Sequence, residues 1–418
     1  MEDTYIKRAL EPVLEHASTE FPVVILTGPR QSGKTTLMLH LFANRYRYVS
    51  LELPDIRASA SADPRSFIKM YPPPVIFDEI QYVPDLLPFI KERVETQQEM
   101  CGQYLLTSSQ NLLVMEKISE SFAGLAALFS LLPLSWRETA GESQVALPLE
   151  LKKTARSRSL SHLDLWEGFL RGGYPELAVH KEHDVTLWHA DYIQTYLEKD
   201  IRTLRQVGDL TLFKNFLRAL AARSAQPLNL TSLGRKLGIA VATVKAWLSL
   251  LEATFQVIIL HPYLTSVSKR LVKMPKIYFT DVGNLCYLVG LREPEHAAFG
   301  PMGSAIMETA VLSEIVKMFA NHGVKPRVYF WRTSAGTEVD FVMETGTELI
   351  SVEVKTSVKP RPAMTSGIEA FREALGNQAT SGYIIHTGKD RFTFGSDVIA
   401  LPFAELSLST IYSRIRPS

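Results

Sequence analysis

The stretch GPRQSGKT, residues 28–35, constrains the fold of this 418-residue chain more than any other feature. It fits the pattern Gly-x-x-x-x-Gly-Lys-Ser/Thr at every position, after a short apolar run, Val23 to Leu26, and before an apolar-periodic segment. That order predicts a strand, a tight loop and a helix, in which loop N–H groups and the positive end of the helix meet phosphate oxygens. We therefore expect a parallel, helix-covered α/β sheet.

The loop positions have roles in binding ATP and Mg²⁺ that follow from their chemistry. Gly28 and Gly33 let the backbone curl so that successive N–H groups point at phosphate oxygens. Lys34 can reach the β- and γ-phosphates, and Thr35 can ligate Mg²⁺. The residues predicted to contact the nucleotide here are Gly28, Pro29, Arg30, Gln31, Ser32, Gly33, Lys34, Thr35 and Thr36.

A second buried strand is predicted at Val75 to Phe77, and it ends in the acidic pair Asp78-Glu79. A carboxylate at the C-terminal end of a parallel strand lies beside the phosphate loop. Asp78 is therefore expected to hold Mg²⁺, and Glu79 to act as the catalytic group that orients or deprotonates the attacking water. In the third predicted strand, GQYLLTSSQ, Ser109 is a candidate γ-phosphate sensor, although strand-end hydroxyls are also common caps.

Four segments, GPRQSGKTTL, VIFDEIQ, LLTSSQ and LLPLSWRE, together resemble a large prokaryotic family of AAA-type ATPases with a C-terminal domain of unknown function. The resemblance continues through GGYPE (172–176) and YIQTYLEKDIRTL (192–204), so it covers nearly the whole chain. It implies ATP binding and hydrolysis and a homo-oligomer. Leu125 departs from the family pattern, which commonly has arginine after Ala-Gly at this point, and the departure favours slow turnover.

The middle of the chain predicts a linker and then a helical lid. Residues 141–160 are polar and irregular, as linkers are, and their basic cluster at 152–158 is interpreted as a solvated surface. Residues 161–225 show helical periodicity. The resemblance makes Arg202 a candidate lid residue facing the nucleotide, and pairing with an acidic neighbour on the helix surface is an equal alternative.

Residues 226–298 predict a winged helix. Two amphipathic segments flank Gly238, and two strands follow them. In this layout the second helix can enter the major groove of DNA, with Thr243 and Lys245 pointing outward. Flanking basic residues that could meet phosphates are Arg235, Lys236, Lys269, Arg270 and Lys273. Winged helices on AAA-type ATPases also serve as packing or protein-contact domains, and that alternative stays open.

The segment FWRTSAGTEVDFVMETGTELISVEVK, residues 330–355, predicts three strands joined by tight turns. Glu353 and Lys355 share one face because they are two residues apart on a strand. Asp340 lies on the preceding strand, so hairpin pairing can bring its carboxylate near Glu353. Glu308, on a helix predicted earlier in the chain, would complete a carboxylate cluster.

Such a cluster suits metal-assisted cleavage of a phosphodiester. Glu308, Asp340 and Glu353 are candidate ligands of Mg²⁺ or Mn²⁺, which prefer carboxylate oxygens. Lys355 would position the nucleophile or stabilise developing charge, so Asp340, Glu353 and Lys355 are the predicted catalytic residues. The order of these residues along the chain resembles the restriction-endonuclease-like PD-(D/E)xK nucleases. The same alternation is also ordinary patterning for a half-buried strand.

Composition narrows the class of protein. Lys plus Arg is 45 and Asp plus Glu is 44, so the net charge of +1 gives no overall signal for nucleic acid. Two cysteines, Cys101 and Cys286, lack metal-ligand spacing and fit a reducing cytoplasm. No segment approaches the roughly 18 apolar residues of a membrane span. We expect a cytoplasmic protein without a membrane partner.

The expected fold is α/β in five parts: a P-loop AAA-type ATPase domain at 1–140, a linker at 141–160, a helical lid at 161–225, a winged helix at 226–298 and an α/β restriction-endonuclease-like domain at 299–418. The predicted function is ATP hydrolysis coupled to action on DNA, with metal-dependent cleavage. The alternative is a nucleotide-switched sensor or scaffold with slow hydrolysis, whose C-terminal domain binds DNA or a partner without cutting. Leu125 favours this alternative.

Overall fold

The computed structural model describes residues 5–96, 100–109, 122, 124–142, 161–196, 209–264, 274–346, 348–395 and 398–406. Several predictions concern positions outside these ranges. They are the linker beyond residue 142, with its basic cluster at 152–158, the lid residue Arg202, and the flanking basic residues Lys269, Arg270 and Lys273.

The N-terminal part is a parallel five-stranded sheet, as the phosphate-loop pattern predicts. Its strands are β1 (Val23–Thr27), β2 (Arg47–Ser50), β3 (Val75–Asp78), β4 (Tyr104–Ser108) and β5 (Ala126–Ser130). They lie in the order β2-β3-β4-β1-β5, with every pair parallel. All five residues of β1 are buried, as expected for a strand with both faces covered. This order places the C-terminal ends of β1, β3 and β4 side by side.

The helices that the described residues form beside this sheet are α1 (Glu11–Glu20), α2 (Lys34–Phe42), α3 (Pro54–Ala62), α4 (Pro64–Met70), α5 (Leu87–Thr96) and α6 (Trp136–Thr139). Alternate strand residues enter two apolar clusters on opposite faces of the sheet. Ile25 and Phe77 belong to one cluster, and Leu26 and Ile76 to the other. The sheet is thus a buried platform, and its polar strand ends are held rigidly beside the phosphate loop.

The middle part is mostly helical. Its helices are α7 (His162–Arg171), α8 (Pro175–Val179), α9 (Val185–Tyr196), α10 (Leu210–Ala221), α11 (Leu230–Leu237), α12 (Val241–Ala253), α13 (Val282–Leu288) and α14 (Pro294–Phe299). Gly238, with φ +69°, ends α11 and turns the chain toward α12. An antiparallel pair of strands, β6 (Val257–Leu260) and β7 (Lys276–Phe279), follows the two helices.

The C-terminal part begins with the long helix α15 (Gly303–Asn321) and continues as a mixed six-stranded sheet. Its strands are β8 (Val328–Arg332), β9 (Glu338–Thr345), β10 (Glu348–Lys355), β11 (Ala379–His386), β12 (Phe392–Phe394) and β13 (Val398–Pro402), in the order β12-β13-β11-β10-β9-β8. The strands β8, β9 and β10 are antiparallel, as the three-strand pattern predicts. Helix α16 (Ser366–Leu375) connects β10 to its parallel neighbour β11.

The middle and C-terminal parts share one apolar core. A single cluster of buried side chains runs from Leu165 in α7 to Leu406 after β13. The chain after β6 also joins the second sheet, because Tyr263 N donates to Phe330 O and Phe330 N donates to His261 O at 3.1 Å. These contacts bring β7 against the end of the sheet that carries β8 and β9. Among the described residues, no helix is long and apolar enough to cross a membrane.

Candidate functional sites

The phosphate loop has the backbone that its glycines predict. Gly28 has φ +153° and Gly33 has φ +92°, both unfavourable for residues with a side chain. A Cβ at Gly28 would lie 2.1 Å from Leu131 O, so only glycine fits where the loop passes the end of β5. Gln31 also adopts a positive φ, +60°. The loop therefore curls as a phosphate-binding loop should, and α2 begins directly after it at Lys34.

The Lys34 side chain lies folded across this loop. Its Nζ donates to the carbonyl oxygens of Gly28 and Pro29, both at 3.0 Å. The same ammonium lies 4.0 Å from Glu79 Oε1. The side chain is only 4% exposed, so its charge acts with little screening by solvent. These contacts place a positive charge where the sequence predicts the β- and γ-phosphates.

Asp78 and Thr35, the two predicted Mg²⁺ ligands of this site, are in direct contact. Thr35 Oγ1 lies 3.0 Å from both carboxylate oxygens of Asp78. Tyr48 donates a hydrogen bond to Asp78 at 2.8 Å, and the Thr107 hydroxyl donates another. Neither Tyr48 nor Thr107 was predicted, because each acts only by lying on a strand next to β3. The Asp78 carboxylate is therefore fixed at the mouth of the loop by three hydroxyls.

Glu79 lies just past the end of β3 in the left-handed backbone region, with φ +58°. Its carboxylate accepts hydrogen bonds from Ser109 Oγ at 2.7 Å and from the Gln81 side chain. Burial alone would raise the pKa of Glu79, but Lys34 and the hydrogen bonds outweigh burial and hold that pKa below its ordinary value. Glu79 is therefore an ionised carboxylate, as a group that orients or deprotonates water must be. The hydrogen bond from Ser109 gives the predicted sensor a direct link to it.

Arg8 stabilises the phosphate loop through buried hydrogen bonds. The sequence analysis did not predict this role. Its guanidinium donates to Ser32 O at 2.9 Å and to Leu132 O at 2.7 Å. It also pairs with the Glu138 carboxylate at 3.0 Å, and both side chains are almost fully buried. Burial would raise the pKa of Glu138, yet Arg8 and backbone N–H donors hold it below its usual value. The sequence gives little indication of this role, because a single arginine before a helix belongs to no recognisable motif.

Three further predicted positions of the ATPase domain lie at its edge. Arg30 donates to Tyr82 OH at 3.2 Å, and Thr36 is exposed on α2. Leu125 is half-buried and packs against the apolar cluster on one face of the sheet. At this position the chain therefore contributes packing, where the family pattern commonly has a cation.

The C-terminal carboxylates lie where the hairpin prediction places them. Asp340 is on β9 and accepts a hydrogen bond from Val354 N on β10 at 2.8 Å. Glu353 is 6% exposed and pairs with Lys355 at 2.8 Å, so the two side chains do share a strand face. A Cβ on Gly367 would lie 2.3 Å from Glu353 Oε1, so α16 approaches this carboxylate closely only because residue 367 is glycine.

Asp340 raises the pKa of both glutamates of the cluster. For Glu308 and Glu353, burial is the largest cause and the charge of Asp340 the next, and each pKa rises to about 8. A hydrogen bond between Asp340 and Glu353 contributes as well. The structure thus brings like charges together in poor contact with water. Such an arrangement favours protons or a bound cation.

The carboxylate oxygens of Glu308, Asp340 and Glu353 do not form a compact group of metal-ligand atoms. Among the described residues, the one group of three potential ligand atoms within 4.8 Å of one another is His180, Glu182 and His183. That group lies at the surface, with side chains 39 to 73% exposed, and ion pairing explains its spacing. In the C-terminal cluster, Glu308 turns toward Tyr278 OH, 3.4 Å away, while Glu353 turns toward Lys355. The donor chemistry of the three carboxylates fits Mg²⁺ or Mn²⁺.

Two members of the C-terminal cluster were missed. Lys276 on β7 pairs with Glu338 on β9 and lies 3.8 Å from Glu308 Oε2. Glu338 is two residues before Asp340, so a strand pattern could have suggested it. Lys276 lies in another part of the chain, and only the contact between β7 and the second sheet brings it here.

The predicted DNA-contacting residues lie on the helix that the sequence assigns to them. Lys245 is exposed and Thr243 half-buried on α12, whereas Val244 and Trp247 face the core. Arg235 and Lys236 are exposed at the end of α11. The outward face of this helix pair therefore carries positive charge.

Family models match three successive segments of the chain. Residues 20–140 match the model of an AAA domain. This segment, which carries the phosphate loop, is therefore similar to AAA domains. The match and the arrangement of Lys34, Asp78 and Glu79 support nucleotide hydrolysis. Residues 162–295 and 303–406 match two models, each described as a domain of unknown function, DUF8612 and DUF4143. These descriptions name neither a winged helix nor a nuclease, so both remain predictions.

Matches to individual proteins were found by sequence and among solved structures. An uncharacterized protein of Mycobacterium tuberculosis and one of Mycobacterium bovis are each 28% identical over 399 residues, which is 93% of this chain and 82% of theirs. The Walker-type ATPase of Pyrococcus abyssi has a TM-score of 0.46 and 15% identity, over 69% of this chain and 97% of that one. Protein VC1899 of Vibrio cholerae has a TM-score of 0.21 and 12% identity, over 94% and 97%.

Proposed function

We propose that this protein couples ATP hydrolysis in its N-terminal domain to metal-dependent cleavage of DNA in its C-terminal domain. The observation that carries the proposal is the position of Asp340. Its charge acts on Glu308 and on Glu353, and both of these carboxylates are largely buried. Placing two largely buried carboxylates beside a third is unfavourable unless positive charge compensates them, so the arrangement suits a bound cation.

Glu308, Asp340 and Glu353 are the residues that would hold Mg²⁺ or Mn²⁺. When bound, such an ion activates water and offsets charge on a scissile phosphate. The chain itself supplies Lys355, whose side chain is 31% exposed and can therefore meet a phosphate at the surface. From this position Lys355 can orient the attacking water and stabilise the charge that develops on the phosphate oxygens.

We assign DNA as the substrate because of the outward face of α11 and α12. Arg235, Lys236 and Lys245 are exposed there, and Thr243 lies between the core and the surface. A basic helix in this layout can enter a major groove and contact phosphates. The ATPase domain would then act as a homo-oligomer, as AAA-type domains often do, and change how the protein holds DNA.

The test is incubation of the wild type and of Asp340→Ala with plasmid, single-stranded and branched DNA. Each reaction contains Mg²⁺ or Mn²⁺, with and without ATP. We expect nicking by the wild type that Asp340→Ala and Lys355→Ala abolish while ATP hydrolysis continues. Lys34→Ala is the matched control, because it should remove ATP binding and leave the carboxylate cluster intact.

A second candidate function is a nucleotide-switched sensor or scaffold that binds DNA or a partner without cutting. Leu125 favours it, because the half-buried leucine supplies no charge to stabilise the transferring phosphate. Lys276 favours it as well, because it already neutralises part of the carboxylate cluster. If the wild type cleaves none of the DNA substrates with either metal, the sensor or scaffold function is favoured over cleavage.

A further inference from the structure

Lys276 contacts the carboxylate cluster although it lies on β7, outside the sheet that carries Glu338, Asp340 and Glu353. The residue begins β7, and its side chain is 5% exposed. Its ammonium pairs with Glu338 and lies 3.8 Å from Glu308 Oε2. The ring of Phe330 lies on another side, with its centre 5.5 Å from Nζ. Lys276 is therefore a fixed internal charge, unlike a solvated surface lysine.

When all of its carboxylates are ionised, the cluster carries two more negative charges than positive ones. Its four carboxylates are Glu308, Glu338, Asp340 and Glu353, and its two ammonium groups are Lys276 and Lys355. Arg332 lies 3.5 Å from Glu338, but its side chain is 48% exposed and its charge is largely screened by water. A bound metal displaces the protons of Glu308 and Glu353, and in that ionised state two negative charges remain in the cluster. One divalent cation would neutralise them.

We propose that Lys276 is a positioning residue that takes the place of a second cation, so that the cluster binds one divalent ion and not two. The inference rests on the proposed function, in which these carboxylates bind Mg²⁺ or Mn²⁺. Two-metal sites hold their ions roughly 3.5–4 Å apart between shared carboxylates. The Lys276 ammonium contacts both Glu308 and Glu338, so it already supplies positive charge between two carboxylates of the cluster. A second ion there would meet an ammonium group at close range and leave excess positive charge.

The test is calorimetric titration of the nucleotide-free full chain with Mn²⁺. Ions that Asp340→Asn loses are assigned to the cluster, which separates them from any ion at Asp78. We expect one such ion in the wild type and two in Lys276→Met, which keeps the length of the side chain and removes its charge. Adding Glu338→Gln to Lys276→Met restores the net charge of the wild type, so we expect this double variant to bind one ion.

Several outcomes would overturn the inference. Two ions in the wild type would do so, and so would one ion in Lys276→Met. No ion in the wild type and one in Lys276→Met would mean that Lys276 replaces the metal altogether. No ion in any variant would remove the proposed metal site as well, so the two failures are distinguishable. Near-ultraviolet circular dichroism checks that Lys276→Met is folded, and Lys276→Gln provides a second variant if it is not.

Discussion

The surroundings of two buried glutamates, Glu79 and Glu353, shift their pKa values in opposite directions. Glu79 and Glu353 are both buried, but the pKa of Glu79 is lowered and that of Glu353 is raised to about 8. Lys34, Gln81 and Ser109 all favour the charged form of Glu79. Glu353 has only Lys355 to set against burial and the charge of Asp340. The surroundings of Glu79 therefore favour a charged carboxylate, and those of Glu353 favour a protonated one.

The raised pKa values predict that metal affinity depends on pH. Glu308 and Glu353 carry protons below about pH 8, and a divalent ion must displace them. Affinity for Mn²⁺ should therefore rise as pH increases through neutrality and level off above about pH 8. Titrations at several pH values, with Asp340→Asn to identify the site, would measure it. An affinity that stays constant across this range would contradict the prediction.

Glu79→Gln should separate ATP binding from ATP hydrolysis. The amide keeps the size of the side chain but cannot accept a proton from water, so hydrolysis should fall by roughly 10²- to 10⁴-fold. Binding of a fluorescent ATP analogue should change little, because Lys34 and the loop are unaltered. Asp85→Asn, at a nearby carboxylate outside the loop, serves as a control. Hydrolysis at the wild-type rate by Glu79→Gln would exclude Glu79 as the residue that activates water.

Residues that follow a local pattern could be predicted, and residues that act through tertiary contacts could not. The loop, Thr35 and Asp78 follow from spacing and from the parallel order of strands, and the structure brings them together. The position of Asp340 beside Glu353 follows from a hairpin. Arg8 and Lys276 have no such signal. Each reaches its partners from another part of the chain, and the packing of that part is not encoded in any short segment.

At the scale of the elements, α16 packs closely against the carboxylate cluster. Its first turn packs so near β10 that a Cβ at Gly367 would meet Glu353 Oε1 at 2.3 Å and Glu338 O at 2.5 Å. The second of these atoms is backbone and cannot swing aside. The distance between helix and sheet is thus set by the size of one residue.

Gly367→Ala should push α16 away from the sheet. We expect a loss of stability of about 1–3 kcal/mol, as for other overpacked sites, and weaker Mn²⁺ binding because Glu353 is displaced. Thermal unfolding and metal titration would measure the two effects. Ser366→Ala adds no side-chain volume at the neighbouring exposed position and should change neither. Unaltered metal binding by Gly367→Ala would show that the helix yields without moving Glu353.

At the scale of the whole molecule, α15 joins the two candidate sites. Glu308 lies near its start, and one turn and a half later Glu314 accepts a hydrogen bond from Trp136 N at 2.8 Å. Lys317 donates to Leu134 O at 3.1 Å and pairs with Glu314 at 3.2 Å. Both residues are buried. These contacts hold the segment after β5 against α15, the helix that carries the predicted metal ligand Glu308.

A double-mutant cycle would measure how much the pairing of Glu314 with Lys317 contributes to the free energy of unfolding. Glu314→Met or Lys317→Met alone leaves one buried charge unpaired and should cost about 3–5 kcal/mol. The double variant replaces the pair by apolar side chains and should cost clearly less than the sum of the two. Shifts in the denaturant midpoint, followed by tryptophan fluorescence, provide the measurement. Additive losses would mean that the two side chains do not support each other.

The hydrogen bonds of Arg8 have a practical consequence for fragments of this protein. The match to the AAA domain begins at residue 20, after Arg8 and most of α1. A fragment trimmed to that boundary would remove the guanidinium that donates to Ser32 O and Leu132 O and the positive charge that pairs with the buried Glu138 carboxylate. Such a fragment could be folded and still bind ATP poorly. The choice of the first residue in an expression plasmid is therefore part of designing the nucleotide site.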